Sequence, residues 1–177
     1  GFDWCSTNQA GPLKHFDATL IRNRKRIETK GYREDVFFDE VMTFIEEAES
    51  KPFFCYLATY SPHTPLDAPE SFIKPFHQAG LNDTHATYLA MIENIDFNLG
   101  RLMKFLKESN RDNDTIIIML NDNGVTEGLD VYNANMRGPK CSAWEGGTRA
   151  FSFWRWPGKW KPRVLGNLTA HLDILPT

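Results

Sequence analysis

Residues 115–124 read TIIIMLNDNG. The apolar run from Ile116 to Leu120 is rich in β-branched residues and too short for a helix, so it reads as a buried strand. It ends abruptly in Asn121-Asp122-Asn123-Gly124. One reading of that ending is a tight turn, in which Asx side chains cap their own backbone and glycine takes positive φ. Another is a metal site. The Asp122 carboxylate and the Asn123 amide oxygen are hard donors, suited to Ca²⁺ or Mg²⁺ rather than to zinc. Two adjacent donors leave the rest of a coordination sphere to be found elsewhere.

Outward from this strand, the chain alternates. On its N-terminal side the spacing predicts a helix over 84–109, with Asn82 or Asp83 as N-cap. Tyr88, Met91, Ile92, Ile95, Leu99, Leu102, Met103 and Leu106 recur there at helical intervals. Before it lies SPHTPLDAPESFIKPFHQAGL, 61–81, whose four prolines argue against regular structure and for a functional loop. FFCYLAT, 53–59, reads as a second buried strand, with Cys55 a small buried hydrophobe. A helix over 32–49 carries Phe37, Val41, Phe44, Ile45 and Ala48 on one face. TLIR and RIET within 19–29 form a hairpin around Asn23-Arg24-Lys25.

On the C-terminal side an irregular stretch runs to 148, RAFSFWRW (149–156) reads as a strand, and a last helix begins near 170. Strands alternating with helices predict an α/β fold, a mixed and mostly parallel sheet with helices on its faces.

Composition excludes several classes. A net charge of −3 gives no global attraction to nucleic acid. The basic cluster from Arg22 to Lys30 sits around the hairpin turn, a solvated position. No apolar run reaches the ~20 residues of a membrane helix. Cys5, Cys55 and Cys141 lie far apart, which excludes a dense disulfide framework. The histidines form no zinc motif.

If strands 53–59 and 115–120 are parallel neighbours, their right-handed crossover brings both carboxyl ends to one sheet edge, where α/β ligands bind. His63 follows the first strand and Asp122 and Asn123 the second. Prolines on either side stiffen the backbone around His63, as a general acid or an anion-binding group would need. Lys140, among Gly and Pro, can reach an anion as a point charge. Taken singly, each of these is also an ordinary loop residue. Trp144, Trp154, Trp156 and Trp160 could stack on sugars, but strand and core packing is the simpler use.

Together the segments resemble one family. P-H-T-P at 62–65, Y-x-A-M-I-E-x-I-D at 88–96, D-N-G at 122–124, R-G-x-K-x-x-x-W-E-G-G-x-R at 137–149, R-W-P-G at 155–158 and H-x-D-I-L-P-T at 171–177 follow the order and spacing of the sulfatases. These are the arylsulfatase-like members of the alkaline phosphatase superfamily, and the resemblance covers residues 31–177. It implies hydrolysis of sulfate monoesters by a formylglycine nucleophile beside a divalent cation, Ca²⁺ with Mg²⁺ as the alternative. By motif match, Asp122 and Asn123 are cation ligands. Lys140 contacts the sulfate, and His63 contacts the sulfate or protonates the leaving alcohol. The expected partner is a sulfated small molecule or a sulfated glycan, with no nucleic acid. A periplasmic, secreted or lysosomal-type compartment is expected for the parent enzyme.

The departures matter equally. The family's nucleophile arises from C/S-x-P-x-R, and no Cys or Ser here has that context. The Asp-Asp cation pair and the Lys-x-His segment are missing too. The resemblance therefore implies that 1–177 is the central portion of one sulfatase catalytic domain, truncated at both ends. Such a chain is expected to lack activity by itself, to bind Ca²⁺ poorly and to leave strands unpaired at a sheet edge. The alternatives are a phosphodiesterase or phosphonate hydrolase of the same superfamily, a non-catalytic module holding sulfated glycans, and a plain α/β domain whose motifs are structural.

Overall fold

The computed structural model describes residues 2–8 and 14–176. The chain begins with a three-stranded antiparallel sheet of β1 (Ser6–Asn8), β2 (Thr19–Arg22) and β3 (Lys25–Glu28), in that spatial order. Arg22 pairs with Lys25, leaving Asn23 and Arg24 as a two-residue turn with both φ values positive, as the twist of a tight hairpin requires. β1 is short and polar and carries no strand signal of its own. It forms because Asn23 ties back to Cys5 by both its backbone and its side chain.

Two helices build the main core. α1 (Arg33–Glu47) buries Phe37, Val41 and Ile45. α3 (Asp83–Glu108) starts where the Asn82 side chain accepts the His85 N–H at 2.9 Å, a standard N-cap. Val41, Ile45 and Leu106 form one cluster, flanked by Phe44, Phe53, Leu57, Leu102, Phe105 and Ile117. The apolar stripe foreseen on α3 is interrupted by the fully buried Asn94 and Asn98. Their amides donate to Asp35 Oδ1 at 2.9 and 2.7 Å, a polar rung between α1 and α3. At the far end of α1, Arg111 donates to the Ile45 carbonyl at 2.6 Å, where a cation suits the helix dipole.

β4 (Ile117–Leu120) pairs antiparallel with β5 (Ser152–Arg155) in a second, two-stranded sheet. Arg155 grips Asp112 with two bonds, at 2.6 and 3.1 Å, and fixes the entry to β4. That hydrogen-bonded partner holds the Asp112 carboxyl below its ordinary range.

Several expectations change. Residues 53–59 form no strand, so the parallel pairing with 115–120 is not formed, and every strand pairing among the described residues is antiparallel. Phe53 and Leu57 still rest on the α1/α3 cluster, as Ile117 of β4 does. The opposite side faces solvent: Phe54 is 72% and Tyr56 73% exposed, and Cys55 is exposed rather than buried. A sequence run can specify an extended backbone, but a strand needs a hydrogen-bonding neighbour.

The loop 61–81 is not wholly irregular either. α2 (Glu70–Gln78) forms despite Pro75, with Pro69 as its extended N-cap. Its Phe72, Ile73 and Phe76 pack with Ala68 against Ala90 and Met91 of α3, and this burial outweighs the single backbone bond that proline forfeits. The expected last helix is reduced to a 3₁₀ turn, His171–Asp173. None of Trp144, Trp154, Trp156 and Trp160 is buried in the core, and Trp156 is half-buried. Trp144, Trp154 and Trp160 are exposed, with Trp160 packed against both Trp154 and Trp156.

Candidate functional site

The end of β4 divides the two readings of Asn121-Asp122-Asn123-Gly124 between its residues. Asn121 performs the turn chemistry. Its Oδ1 accepts the Phe151 N–H at 2.6 Å, which couples it to the start of β5, and its Nδ2 donates to the Asn123 carbonyl at 2.5 Å. His171 donates its Nε2–H to the Asn121 carbonyl at 3.1 Å. The side chains of Asp122, which is exposed, and Asn123, which is half-buried, make no hydrogen bond or ion pair among the described residues.

Gly124 then passes against the turn that opens α4 (Glu145–Thr148). Its N–H donates to the Gly147 carbonyl at 3.0 Å, and a Cβ at this position would lie 1.7 Å from the Gly146 oxygen. Gly146 in turn donates to the Arg137 carbonyl at 2.8 Å, and the Lys140 N–H donates to the Val125 carbonyl at 2.9 Å. The Arg137 guanidinium stacks 3.4 Å from the Trp144 ring centre. The segments 122–125, 137–140 and 144–147 are therefore one joined cluster. Glycine is required where backbones touch, at Gly124 and Gly146. The Lys140 side chain is half-buried, and its ammonium makes no ion pair or hydrogen bond among the described residues.

His63 makes no hydrogen bond to this cluster. Its hydrogen bonds are local, from Nδ1 to the Thr64 carbonyl at 2.7 Å and to the Tyr60 hydroxyl at 3.0 Å, and no hydrogen bond joins it to Asp122, Asn123 or Lys140. The loop that carries it is clamped from below by buried polar groups. Glu34 Oε1 accepts the Ser61 N–H at 3.1 Å and the Ser61 hydroxyl at 2.9 Å. Tyr32 donates to the Asp67 carbonyl at 2.9 Å, and His15 donates its Nε2–H to the Pro65 carbonyl at 2.7 Å. Burial pushes the Tyr32 phenol up to about 12, so it remains a donor at any ordinary pH. Burial likewise lowers the His15 pKa below 6.5, with a further push from the Arg33 charge against the opposing Pro65 bond.

His15 should make the loop's anchor sensitive to acid. Below the unfolded-state value near 6.5, the unfolded chain binds a proton that the folded chain refuses. Its contribution is complete above about pH 6.5 and declines as pH falls toward the depressed folded value. Urea denaturation across this window should show a shallower loss of stability in His15→Gln than in the native protein. Equal slopes would show that His15 does not carry it.

As candidate cation ligands, Asp122 and Asn123 are chemically suitable: both oxygens are hard, and neither side chain is engaged by another of the described residues. Among the described residues no cluster of three or more His, Cys, Asp or Glu is placed to hold a metal. Sequence reasoning missed Asn121, Tyr60 and the Arg33–Glu34 pair. Asn121 lies within the stretch that drew notice, and Tyr60 lies three residues before His63. The burial of two charged residues at a helix start leaves no signal in the sequence.

Comparison with known proteins points to one family. A family model described as Sulfatase matches residues 2–177. The chain is 32% identical to the Uncharacterized sulfatase YdeN of Escherichia coli (strain K12), over all of this chain and 32% of that protein. It is 27% identical to Arylsulfatase H of Homo sapiens, over 94% of this chain and 31% of that protein. It thus spans about a third of the length of these relatives. A crystal structure of Ps i-CgsB in complex with k-i-k-neocarrahexaose superposes with a TM-score of 0.81 at 28% identity, covering 89% of this chain and 40% of that one. The chain, α/β in architecture, belongs to the sulfatase family.

Proposed function

We propose that this chain forms the part of a sulfuric ester hydrolase that supports the cation and grips the sulfate, in a protein that converts R–O–SO₃⁻ to ROH and sulfate. The observation that carries the reading is the join between loops: the Gly124–Gly147 and Lys140–Val125 hydrogen bonds hold Lys140 in the same cluster as the hard oxygen donors of Asp122 and Asn123, all three side chains without a partner among the described residues. Asp122 and Asn123 would hold a divalent cation, Ca²⁺ with Mg²⁺ as the alternative. When bound, that ion would supply positive charge to offset that of the sulfate, while the nucleophile, a formylglycine, would come from outside residues 1–177. Lys140 offsets charge on the sulfate oxygens as the S–O bond breaks. His63 gives a proton to the departing alcohol oxygen. The substrate class is a sulfated small molecule or a sulfated glycan, and residues 1–177 alone should not turn it over.

The test uses the full-length protein with an aryl sulfate, a sulfated oligosaccharide and a phosphate diester. The expected result is hydrolysis of a sulfate ester that stops on chelation and returns with Ca²⁺ or Mg²⁺. Preferential cleavage of the phosphate diester would move the protein to the phosphodiesterases of the superfamily. Binding of the sulfated oligosaccharide without turnover would make it a glycan-binding module.

A further inference from the structure

The buried pair beneath the His63 loop has no part in the chemistry above. Arg33 and Glu34 are both fully buried, 3.2 Å apart, and Arg33 Nε and Glu34 Oε2 find no hydrogen-bond partner among the described residues. A buried, incompletely satisfied ion pair is a poor device for stability. What it does instead is hold the loop. Glu34 Oε1 takes both the N–H and the hydroxyl of Ser61, and the Arg33 guanidinium lies 4.7 Å from the centre of the Tyr60 ring. Tyr60 reaches the Thr64 carbonyl and the His63 ring with one hydroxyl.

We infer that Glu34, acting through Ser61, and Tyr60 are positioning residues that keep the Nδ1–H of His63 in place, so that Nε2 is the atom that takes up the second proton and, from the imidazolium, gives it to a substrate oxygen. A carbonyl oxygen can only accept, so at 2.7 Å from Thr64 the Nδ1 atom must carry the proton. The Tyr60 hydroxyl donates to the same carbonyl and offers its lone pair to Nδ1–H, so all three groups agree on one tautomer. Proton exchange with a ligand is thereby assigned to Nε2. The inference rests on reading His63 as the proton donor. The tautomer itself is observable without turnover, so its failure and the failure of that reading are separate results.

The test is long-range ¹H–¹⁵N correlation of the full-length protein labelled in histidine, at a pH where His63 is neutral, with its signals assigned through His63→Asn. The native protein should show His63 almost wholly as the Nδ1–H form. Tyr60→Phe and Glu34→Ala should each shift it to a mixture of tautomers, while His171 keeps its native signals. Glu34→Gln retains the acceptor for Ser61 and should restore the native pattern. An Nε2–H form in the native protein overturns the tautomer assignment, and native-like His63 signals in Tyr60→Phe overturn the positioning role of Tyr60. Because Tyr60 is only half-buried, Tyr60→Phe decides the matter even if Glu34→Ala does not fold. Native-like signals in a folded Glu34→Ala would remove Glu34 from the positioning role.

Discussion

Lys140→Ala in the full-length protein should lower kcat for a sulfate ester by about 10²–10³-fold, the size of effect found when one preorganised charge-stabilising group is removed. The expected stability change is small. The ammonium makes no ion pair or hydrogen bond among the described residues, and the anchoring contact is the backbone N–H to Val125, which alanine keeps. A fall in kcat with an unchanged denaturation midpoint would place Lys140 at the reacting sulfate. Unchanged kinetics would remove it from the site and favour a structural use of the R-G-x-K motif. Asp122→Ala makes a paired test. Its exposed carboxylate has no structural partner among the described residues, so lost turnover that excess Ca²⁺ partly restores would identify it as a ligand.

Gly124→Ala should damage both stability and activity. The new Cβ would meet the Gly146 oxygen at 1.7 Å, the Gly146 carbonyl carbon at 2.7 Å and the Gly147 Cα at 2.9 Å. All three are backbone atoms, so no side chain can swing aside. The turn must move away from α4 by more than an ångström and stretch its bond to Gly147. Overpacking of this kind costs about 3 kcal/mol at the upper end of its usual range. The same movement displaces Asp122 and Asn123, and a misplacement of about 1 Å costs roughly 10²-fold in rate. Gly100→Ala is the control. Its Cβ meets nothing within 4 Å in the interior of α3, so it should stabilise by about 0.5–1 kcal/mol. Tm and kcat of the two variants would check both expectations, and equal behaviour would show that the contact at Gly124 is not tight.

Local signals located the hairpin, α1, α3 and β4: a turn that demands positive φ, an apolar stripe at helical spacing, or a short unbroken apolar run. Motif order alone nominated Asp122, Asn123, Lys140 and His63 as candidates and pointed to the family. Pairing was not legible. FFCYLAT has the composition of a strand, but a ladder depends on a neighbour distant in sequence, and among the described residues it has none. α2 failed in the opposite direction. Its prolines argue against a helix, yet three apolar side chains find the surface of α3 and burial prevails. The join of Gly124 to Gly147 and of Lys140 to Val125 belongs to the tertiary structure, since a backbone contact across some twenty residues has no local signature. So does the support of His63, because Arg33 and Glu34 look like an exposed helix start until folding closes over them. The sequence by itself determined which residues could do the chemistry. The tertiary structure decided which of them are held together, because holding is done by backbone contacts and buried charges that no spacing encodes.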